Sequence, residues 1–184
     1  MSDDGRTAIL RAAKRAFARQ PYAAVTLRGI AADAGVSASL IVKHYGGKDQ
    51  LFDVVADFGD AGQLLVAAPN AELGRHAVLT LVRWRREHDS DLMVRVVFAA
   101  GDGDERKMMR DRFHEQVVRV FADNLEGADR ELRAELIVAH LLGLGALLAV
   151  QKSGEAAAAD PELLADLYGP ALQHLIDQNG QQSH

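Results

Sequence analysis

Residues 26–48 read TLRGIAADAGVSASLIVKHYGGK, and this stretch decides the fold. Thr26 and Ser37 each stand where a side-chain oxygen can cap the start of a helix. Gly35 lies between them and tolerates the left-handed backbone that commonly ends a helix. The spacing therefore predicts two short helices joined by a tight turn, which is the pattern of a helix-turn-helix.

The second short helix is expected to turn small and basic side chains outward. Ile30, Val36 and Ile41 are apolar where the pair of helices should lock onto the helix before it. Short or basic side chains on the other side can enter the major groove of DNA without a clash. The outward-facing residues are Ala38, Ser39, Val42 and Lys43.

The segment before the motif is predicted to form a helix with two faces. An apolar stripe runs from Ile9 to Phe17, while Arg11, Arg15 and Arg19 lie four residues apart on another face. A basic face of this kind is either solvated or touches DNA, and the sequence leaves both readings open.

Charge is distributed unevenly along the 184 residues, whose formal net charge is −5. Residues 1–50 hold eight Lys and Arg side chains against four Asp and Glu, and the remainder holds 13 against 22. A basic head on an acidic body is typical of a protein that meets phosphate at one end.

Composition also limits the compartment and the partners. The chain has no cysteine, which excludes a disulfide framework or a Cys-built metal site and fits a reducing compartment. Its acidic start resembles no signal peptide, so a cytoplasmic location is expected. The apolar run Ile137–Val150 has 14 residues, too few to cross a bilayer, so no membrane partner is expected.

Helical periodicity dominates the chain and predicts an all-α fold. The N-terminal three-helix head would occupy residues 1–50, with the helix-turn-helix at about 27–45, and a connecting helix would follow over 48–66. Pro69-Asn70 marks the start of a helical body over 71–178, followed by a tail over 179–184. Within the body, the pattern predicts helices at about 71–88, 90–100, 104–125, 129–152 and 161–177, with a loop over 153–160.

Fixed spacings across the first 60 residues identify a family resemblance. They are Ile9-Leu10-x-Ala12-Ala13-x-x-x-Phe17, Tyr22-x-x-Val25-Thr26-Leu27-x-x-Ile30-Ala31, Ala34-Gly35-Val36-Ser37 and His44-Tyr45-Gly46-Gly47-Lys48-Asp49-x-Leu51-Phe52. On these residues the chain resembles the TetR family of bacterial transcriptional regulators. The resemblance implies a helix-turn-helix head and a C-terminal helical body for ligand binding and dimerisation.

The resemblance also implies roles in DNA binding for particular residues. Phosphate contacts would come from Thr26, Arg28, Ser37, Tyr45 and Lys48. Base edges would be read by Ala38, Ser39, Val42, Lys43 and His44. Val42 stands where the family often has Tyr, so this position cannot donate to a phosphate.

Two helices of the body offer a surface for a symmetric dimer, which would match a palindromic operator. The small residues Gly143, Gly145 and Ala146 permit close helix crossing. The leucines around them either form this interface or fill the core of one chain. They are Leu141, Leu142, Leu144, Leu147 and Leu148, with Leu163, Leu164, Leu167, Leu172, Leu175 and Ile176 on the last helix.

The resemblance implies a small-molecule pocket in the body, and the apolar residues there suit a hydrophobic effector. Plain core packing is the competing reading of the same residues. The candidates are Trp84, Met93, Val97, Phe98, Met109, Phe113, Val117, Phe121, His140 and Leu144.

No motif indicates an enzyme, a metal site or a cofactor. His76, His88, His114 and His140 lack metal-ligand spacing, and Gly143-x-Gly145 lacks the third glycine of a dinucleotide fingerprint. We therefore expect a sequence-specific DNA-binding regulator, a repressor that a small ligand releases from its operator. Two alternatives stay open: a helix-turn-helix dimer that needs no effector, and a helical small-molecule binder with no role at DNA.

Overall fold

The capping residues predicted for the helix-turn-helix are confirmed. Thr26 Oγ1 accepts a hydrogen bond from the Gly29 amide at 3.1 Å, and Ser37 Oγ accepts one from the Leu40 amide at 3.2 Å. Gly35 ends the first of the two helices at φ +67°, in the left-handed region that a residue without Cβ adopts at little cost.

A computed structural model describes residues 3–87, 104–151 and 153–178. Every regular element within these ranges is helical, which confirms the all-α prediction. The helices are α1 Asp3–Arg19, α2 Leu27–Ala34, α3 Ala38–Tyr45, α4 Lys48–Val55, α5 Gly59–Leu65, α6 Leu73–Glu87, α7 Asp104–Phe113, α8 Arg119–Asp123, α9 Arg130–Val150, α10 Glu155–Ala158 and α11 Pro161–Asp177.

Contacts between the helices divide the chain into two compact units. Of the described residues, 3–57 and 104–110 form the head unit, and 58–87, 111–151 and 153–178 form the body unit. Helices α1 to α4 lie in the head unit, whereas α5, α6 and α8 to α11 lie in the body unit.

The head unit has an apolar core to which each of α1 to α4 contributes a fully buried side chain. An aromatic cluster of Phe17, Tyr22 and Phe52 joins α1 and α4 beside this core. Burying such side chains is the main favourable term in folding, so the four helices stabilise one another. The fully buried residues are Ile9 on α1, Ile30 on α2, Ile41 on α3 and Leu51 on α4.

Two glycines in the body unit let α6 and α11 cross at close range. A Cβ at Gly74 would lie 2.6 Å from the Gly169 carbonyl oxygen, and a Cβ at Gly169 would lie 2.8 Å from the Arg75 Cα. Side chains do not pack that close to backbone, so both positions require glycine. Arg75 also forms an ion pair with Asp166 of α11 at 2.6 Å.

Helix α9 has one buried side and one exposed side. Ala134, Ile137 and Leu141 are buried, whereas Leu136 is 44% exposed. By length and composition alone, this helix could cross a bilayer. Because its buried side forms part of the body core, its apolar composition is explained by packing in that core.

The single connecting helix predicted over 48–66 is wrong. Helix α4 ends at Val55, where the backbone of Ala56 leaves helical geometry, and α5 begins at Gly59. The amide of Phe58 donates instead to Gln116 Oε1 at 2.7 Å, a contact between residues far apart in sequence that no local pattern indicates.

The helix predicted over 104–125 contains a π-helical turn at His114–Val118. A Cβ at Gly62 of α5 would lie only 1.9 Å from the Gln116 carbonyl oxygen in this turn, so α5 and the π turn meet backbone to backbone. The predicted loop over 153–160 contains the short helix α10. The predicted helix at 90–100 and the tail at 179–184 lie outside the described residues.

Candidate nucleic-acid interface

Helix α3 presents an exposed surface of small and basic side chains. Its opposite side packs into the head core through Ile41. Val42 is apolar yet 48% exposed, and its methyl groups are therefore available to meet a thymine methyl in the major groove. The surface consists of Ala38, which is half-buried, and of Ser39, Val42, Lys43 and His44, which are exposed.

The residues expected to contact phosphate differ in how they are engaged. Arg28 is exposed on the first turn of α2. Thr26 and Ser37 are also exposed, but their hydroxyl oxygens accept the capping hydrogen bonds of α2 and α3. Ser37 Oγ lies 3.0 Å from Ser39 Oγ as well, so these two hydroxyls are linked at the start of α3.

The polar atoms of Tyr45 and Lys48, two residues predicted to contact phosphate, are buried or bonded within the head unit in this structure, and both phosphate contacts stay predictions. Tyr45 packs in the core, as expected, but its hydroxyl is buried and has no hydrogen-bond partner among the described residues. Lys48 Nζ donates to the carbonyl oxygen of Tyr22 at 3.0 Å, in a partly buried position. The structure thus buries the Tyr45 hydroxyl and bonds the Lys48 ammonium within the head unit.

The basic face of α1 is only partly available to a ligand. Arg15 Nη2 pairs with the Asp33 carboxylate of α2 at 2.7 Å, and Arg15 Nε donates to the same oxygen at 3.1 Å. Arg11 and Arg19 are exposed. The ion pair therefore gives Arg15 a role within the head unit, in joining α1 to α2.

The predicted ligand-pocket residues lie in different parts of the chain. Met109 is buried in the head unit, whereas Met93, Val97 and Phe98 lie outside the described residues. In the body unit, Trp84 and His140 are half-buried, and Phe113, Val117, Phe121 and Leu144 are buried.

His140 has a partner in the body unit that the sequence did not indicate. Its Nδ1 lies 3.1 Å from the Tyr168 hydroxyl of α11, and the two rings meet edge to face. A separate groove of about 520 Å³ lies between α11 and the chain around the start of α6. None of the predicted pocket residues lines this groove, whose lining includes Glu72, Arg75, Pro170 and His174.

The leucines predicted for the dimer surface divide into core and surface residues. Leu141, Leu144, Leu172 and Ile176 are buried within the chain, which supports the core reading for these four. Leu142, Leu148, Leu164 and Leu175 are half-buried. The exposed side of the two helices carries Leu132, Leu136, Leu147 and Val150 on α9, with Leu163 and Leu167 on α11.

Both halves of the chain match models of one protein family. Residues 9–55 match the model described as bacterial regulatory proteins, tetR family, and residues 71–176 match the model described as tetracyclin repressor-like, C-terminal domain. The chain belongs to the TetR family. It is a DNA-binding transcriptional regulator with a repressor-like C-terminal domain, and membership favours this function over that of a helical binder with no role at DNA.

Solved structures of regulators are similar to this TetR-family chain along most of its length. A TetR-family regulator from Streptomyces coelicolor A3 is 26% identical, with a TM-score of 0.60, and the match covers 95% of this chain and 96% of that one. The fatty acid degradation regulator FadR from Bacillus halodurans is 13% identical, with a TM-score of 0.69 and coverage of 91% and 97%. AibR, solved with isovaleryl coenzyme A and operator DNA, is 17% identical, with a TM-score of 0.62 and coverage of 92% and 98%. No curated protein matches the chain.

Sequence reasoning about this TetR-family regulator missed the residues that hold the site together. Tyr22 enters the sequence analysis only as a residue of the family motif and Asp33 does not enter it, yet each bonds a basic residue that the sequence assigns to DNA or to solvent. Their signal in the sequence was weak, because an aromatic residue in a turn and an acid on a helix are ordinary. Only the fold brings them next to Lys48 and Arg15.

Proposed function

We propose that this regulator reads the major groove of its operator with the exposed side of α3. The observation that carries this proposal is that this side presents only small or basic groups. Gly35 at the end of α2 and the N-cap Ser37 of α3 fix the turn that precedes it. Lys43 would donate to guanine, and Val42 and Ala38 would meet thymine methyl groups. Arg28 would hold a phosphate beside the groove, with the hydroxyls of Thr26 and Ser37 near the backbone.

We further propose that two copies of the chain pair through the exposed apolar side of α9 and α11. Leu136 is 44% exposed and Leu167 is 72% exposed, which leaves large side chains in water in a single chain. A Cβ at Gly143 would meet nothing within 4 Å among the described residues, so a partner helix has room to approach there. Of the leucines predicted for this role, Leu147, Leu163 and Leu167 lie on this exposed side, and Leu132 and Leu136 extend it.

The effector is proposed to be a small, mostly hydrophobic molecule held in the body unit. Support comes from the buried apolar side chains Phe113, Val117 and Phe121, and from the isovaleryl coenzyme A that accompanies AibR. A ligand that binds better to a body conformation unsuited to DNA must weaken DNA binding by linkage. We propose a cytoplasmic location, because a regulator of this kind must reach its operator DNA.

The DNA-reading proposal is tested by selecting duplexes from a random-sequence library with the purified chain and footprinting the selected site. We expect a palindromic site whose affinity falls steeply with salt. Lys43→Met should change the selected sequence, whereas Arg119→Met, which alters an exposed arginine of the body unit, should leave sequence and affinity unchanged. Failure to select any duplex, or identical sequences with Lys43→Met, would contradict the assignment.

The dimer is tested by sedimentation of charge-introducing variants. Leu136→Glu or Leu167→Glu should yield monomers, because a carboxylate would be buried between apolar faces. Leu64→Glu introduces the same charge at a leucine of α5 that is 45% exposed, and it should remain dimeric. A wild-type chain that stays monomeric at high concentration would contradict the proposal.

A thermal shift on adding a medium-chain acyl coenzyme A would separate the ligand-released repressor from a dimer that needs no effector.

A further inference from the structure

His140 lies on the side of α9 that we propose to form the dimer. Residues spaced three or four positions apart share one side of a helix, and from 132 to 150 such a stripe includes His140. The other members of the stripe are exposed and apolar or glycine: Leu132, Leu136, Gly143, Leu147 and Val150. The part of the proposed interface that α9 supplies therefore has a single polar side chain, near the middle of an apolar stripe.

One ring nitrogen of His140 is engaged within the chain, and the other is not. Nδ1 lies 3.1 Å from the Tyr168 hydroxyl of α11, which also lies 3.5 Å from the His140 carbonyl oxygen. Nε2 has no hydrogen-bond partner among the described residues. Because the ring is half-buried, water can reach it in a single chain. A second copy that covers the stripe would exclude this water.

No carboxylate in the described part of the chain pairs with the His140 ring. Residues 136–139 and 141–144 of α9 carry no charge, and Glu162 and Asp166 of α11 pair with arginines of α6. Tyr168 is the titratable group that contacts the ring. The other titratable or charged residues on the elements packed against α9, none of which contacts His140, are Arg75, His76, Arg83, Arg85, Arg86 and Glu87 on α6, His114 and Glu115 in the π turn, Arg119 and Asp123 on α8, and His174 and Asp177 on α11.

A symmetric dimer would bring two His140 rings into the same part of the interface. A Cβ at Gly143 meets nothing within 4 Å among the described residues, so this is where a partner helix can approach α9. His140 precedes Gly143 by about one helical turn, and a twofold crossing there places both rings near the axis. Burying two protonated rings at this point, with no carboxylate between them, costs desolvation and adds repulsion.

We propose that His140 makes the pairing of two copies depend on pH: the dimer forms while both rings are neutral and dissociates when they take up protons. Histidine is the side chain that ordinarily changes charge between about pH 5 and 8. A palindromic operator is bound by two heads, so acid would also release the regulator from DNA. This inference rests on the proposed dimer, and it assigns His140 to the interface and not to the effector pocket.

The experiment measures the dimer dissociation constant by analytical ultracentrifugation of a labelled dilution series, at about pH 8 and about pH 5.5. The wild-type constant should rise at least about tenfold at the lower pH, since each ring that must stay neutral contributes up to about tenfold per pH unit. His140→Gln keeps a neutral polar side chain, and its constant should change less than about twofold. His114→Gln removes an exposed histidine of the π turn and should keep the wild-type pH dependence.

His140→Lys tests the effect of a fixed charge at the same position. It should be monomeric at both pH values, whereas Leu64→Lys, which adds the charge at an exposed leucine of α5, should pair like wild type. Circular dichroism checks that each variant is folded at each pH.

Three outcomes would overturn the inference: a wild-type constant that does not change with pH, a pH dependence that persists in His140→Gln, and one that is lost in His174→Gln instead. A wild-type chain that is monomeric at both pH values would show that the dimer proposal itself has failed, and the role of His140 would fail with it.

Discussion

Arg133 holds the end of α11, and replacing it with methionine should destabilise the body unit by about 3–5 kcal/mol. The arginine is only 4% exposed. Its Nη1 donates to the carbonyl oxygens of Leu175 and Ile176 at 3.2 and 3.1 Å, and its Nη2 donates to the Glu126 carbonyl. The first two acceptors lie in the last turn of a helix, where carbonyls have no partner within the helix itself.

The expected loss of stability is the difference between two effects of methionine: it removes three hydrogen bonds, and it also removes the cost of burying a charge. Hydrogen bonds to a charged group are worth about 1.5–3 kcal/mol each, so three of them amount to about 4.5–9 kcal/mol. Methionine also removes the cost of burying a charge, including an Nε atom that has no partner in the described part of the chain. This relief is worth several kcal/mol and leaves the smaller net loss.

Urea unfolding followed by far-ultraviolet circular dichroism measures this loss, at a fixed protein concentration because dimerisation adds to stability. With a urea dependence of about 1–3 kcal/mol per molar, the midpoint should fall by at least about 1 M. Arg130→Met removes an exposed arginine from the first turn of α9 and should change stability by less than about 0.5 kcal/mol.

Arg133→Lys tests whether the forked geometry matters. One ammonium cannot reach three carbonyls as the planar guanidinium does, so this variant should fall between methionine and wild type. An Arg133→Met protein as stable as Arg130→Met would refute the reasoning, since it would mean that the three hydrogen bonds add nothing beyond what solvent provides.

Three further predictions concern other parts of the molecule. Gly74→Ala should lower the free energy of unfolding by about 1–3 kcal/mol, because the methyl group would strike Gly169, and an unchanged free energy of unfolding would contradict the close crossing. Tyr45→Phe should keep or raise stability and leave DNA affinity within about twofold, since it removes a buried hydroxyl without a partner; a tenfold loss of affinity would instead indicate a phosphate contact. Hydrogen bonding with Asp160 and Arg83 lowers the pKa of Glu162 from 4.5 to about 2, so the stabilisation by its carboxylate is present above pH 4.5 and is lost as the pH falls towards 2. In Glu162→Gln the free energy of unfolding should therefore depend less on pH between 4.5 and 2 than in wild type. The same pH dependence in both proteins would contradict this.

The helices of the head could be predicted because their limits are set locally. Thr26, Gly35 and Ser37 act on neighbours within a few residues, and the structure places each where the pattern indicated. A Ser or Thr hydroxyl can reach the amide three residues further on, and glycine tolerates a positive φ. The residue types at these positions are therefore enough to predict where the helices begin and end.

The rest of the site could not be read in this way, because it depends on contacts between distant residues. Lys48 looks like a solvent-facing helix residue until the turn at Tyr22 is folded against it. The break after Val55 likewise involves Gln116, which lies in a separate helical run. The sequence indicates that α9 is rich in leucine, but not which of its leucines are used by the core.

The close contact of Gly62 with the π turn at His114–Val118 means that a substitution in one of these segments constrains the other. Because the turn brings the Gln116 carbonyl oxygen to where a Cβ at residue 62 would stand, neither segment can diverge alone. A lineage that gains a side chain at 62 must also lose the widened turn, most simply by deleting one amino acid so that a regular α-helix closes again. Paired change at these two places would be the historical trace of that constraint.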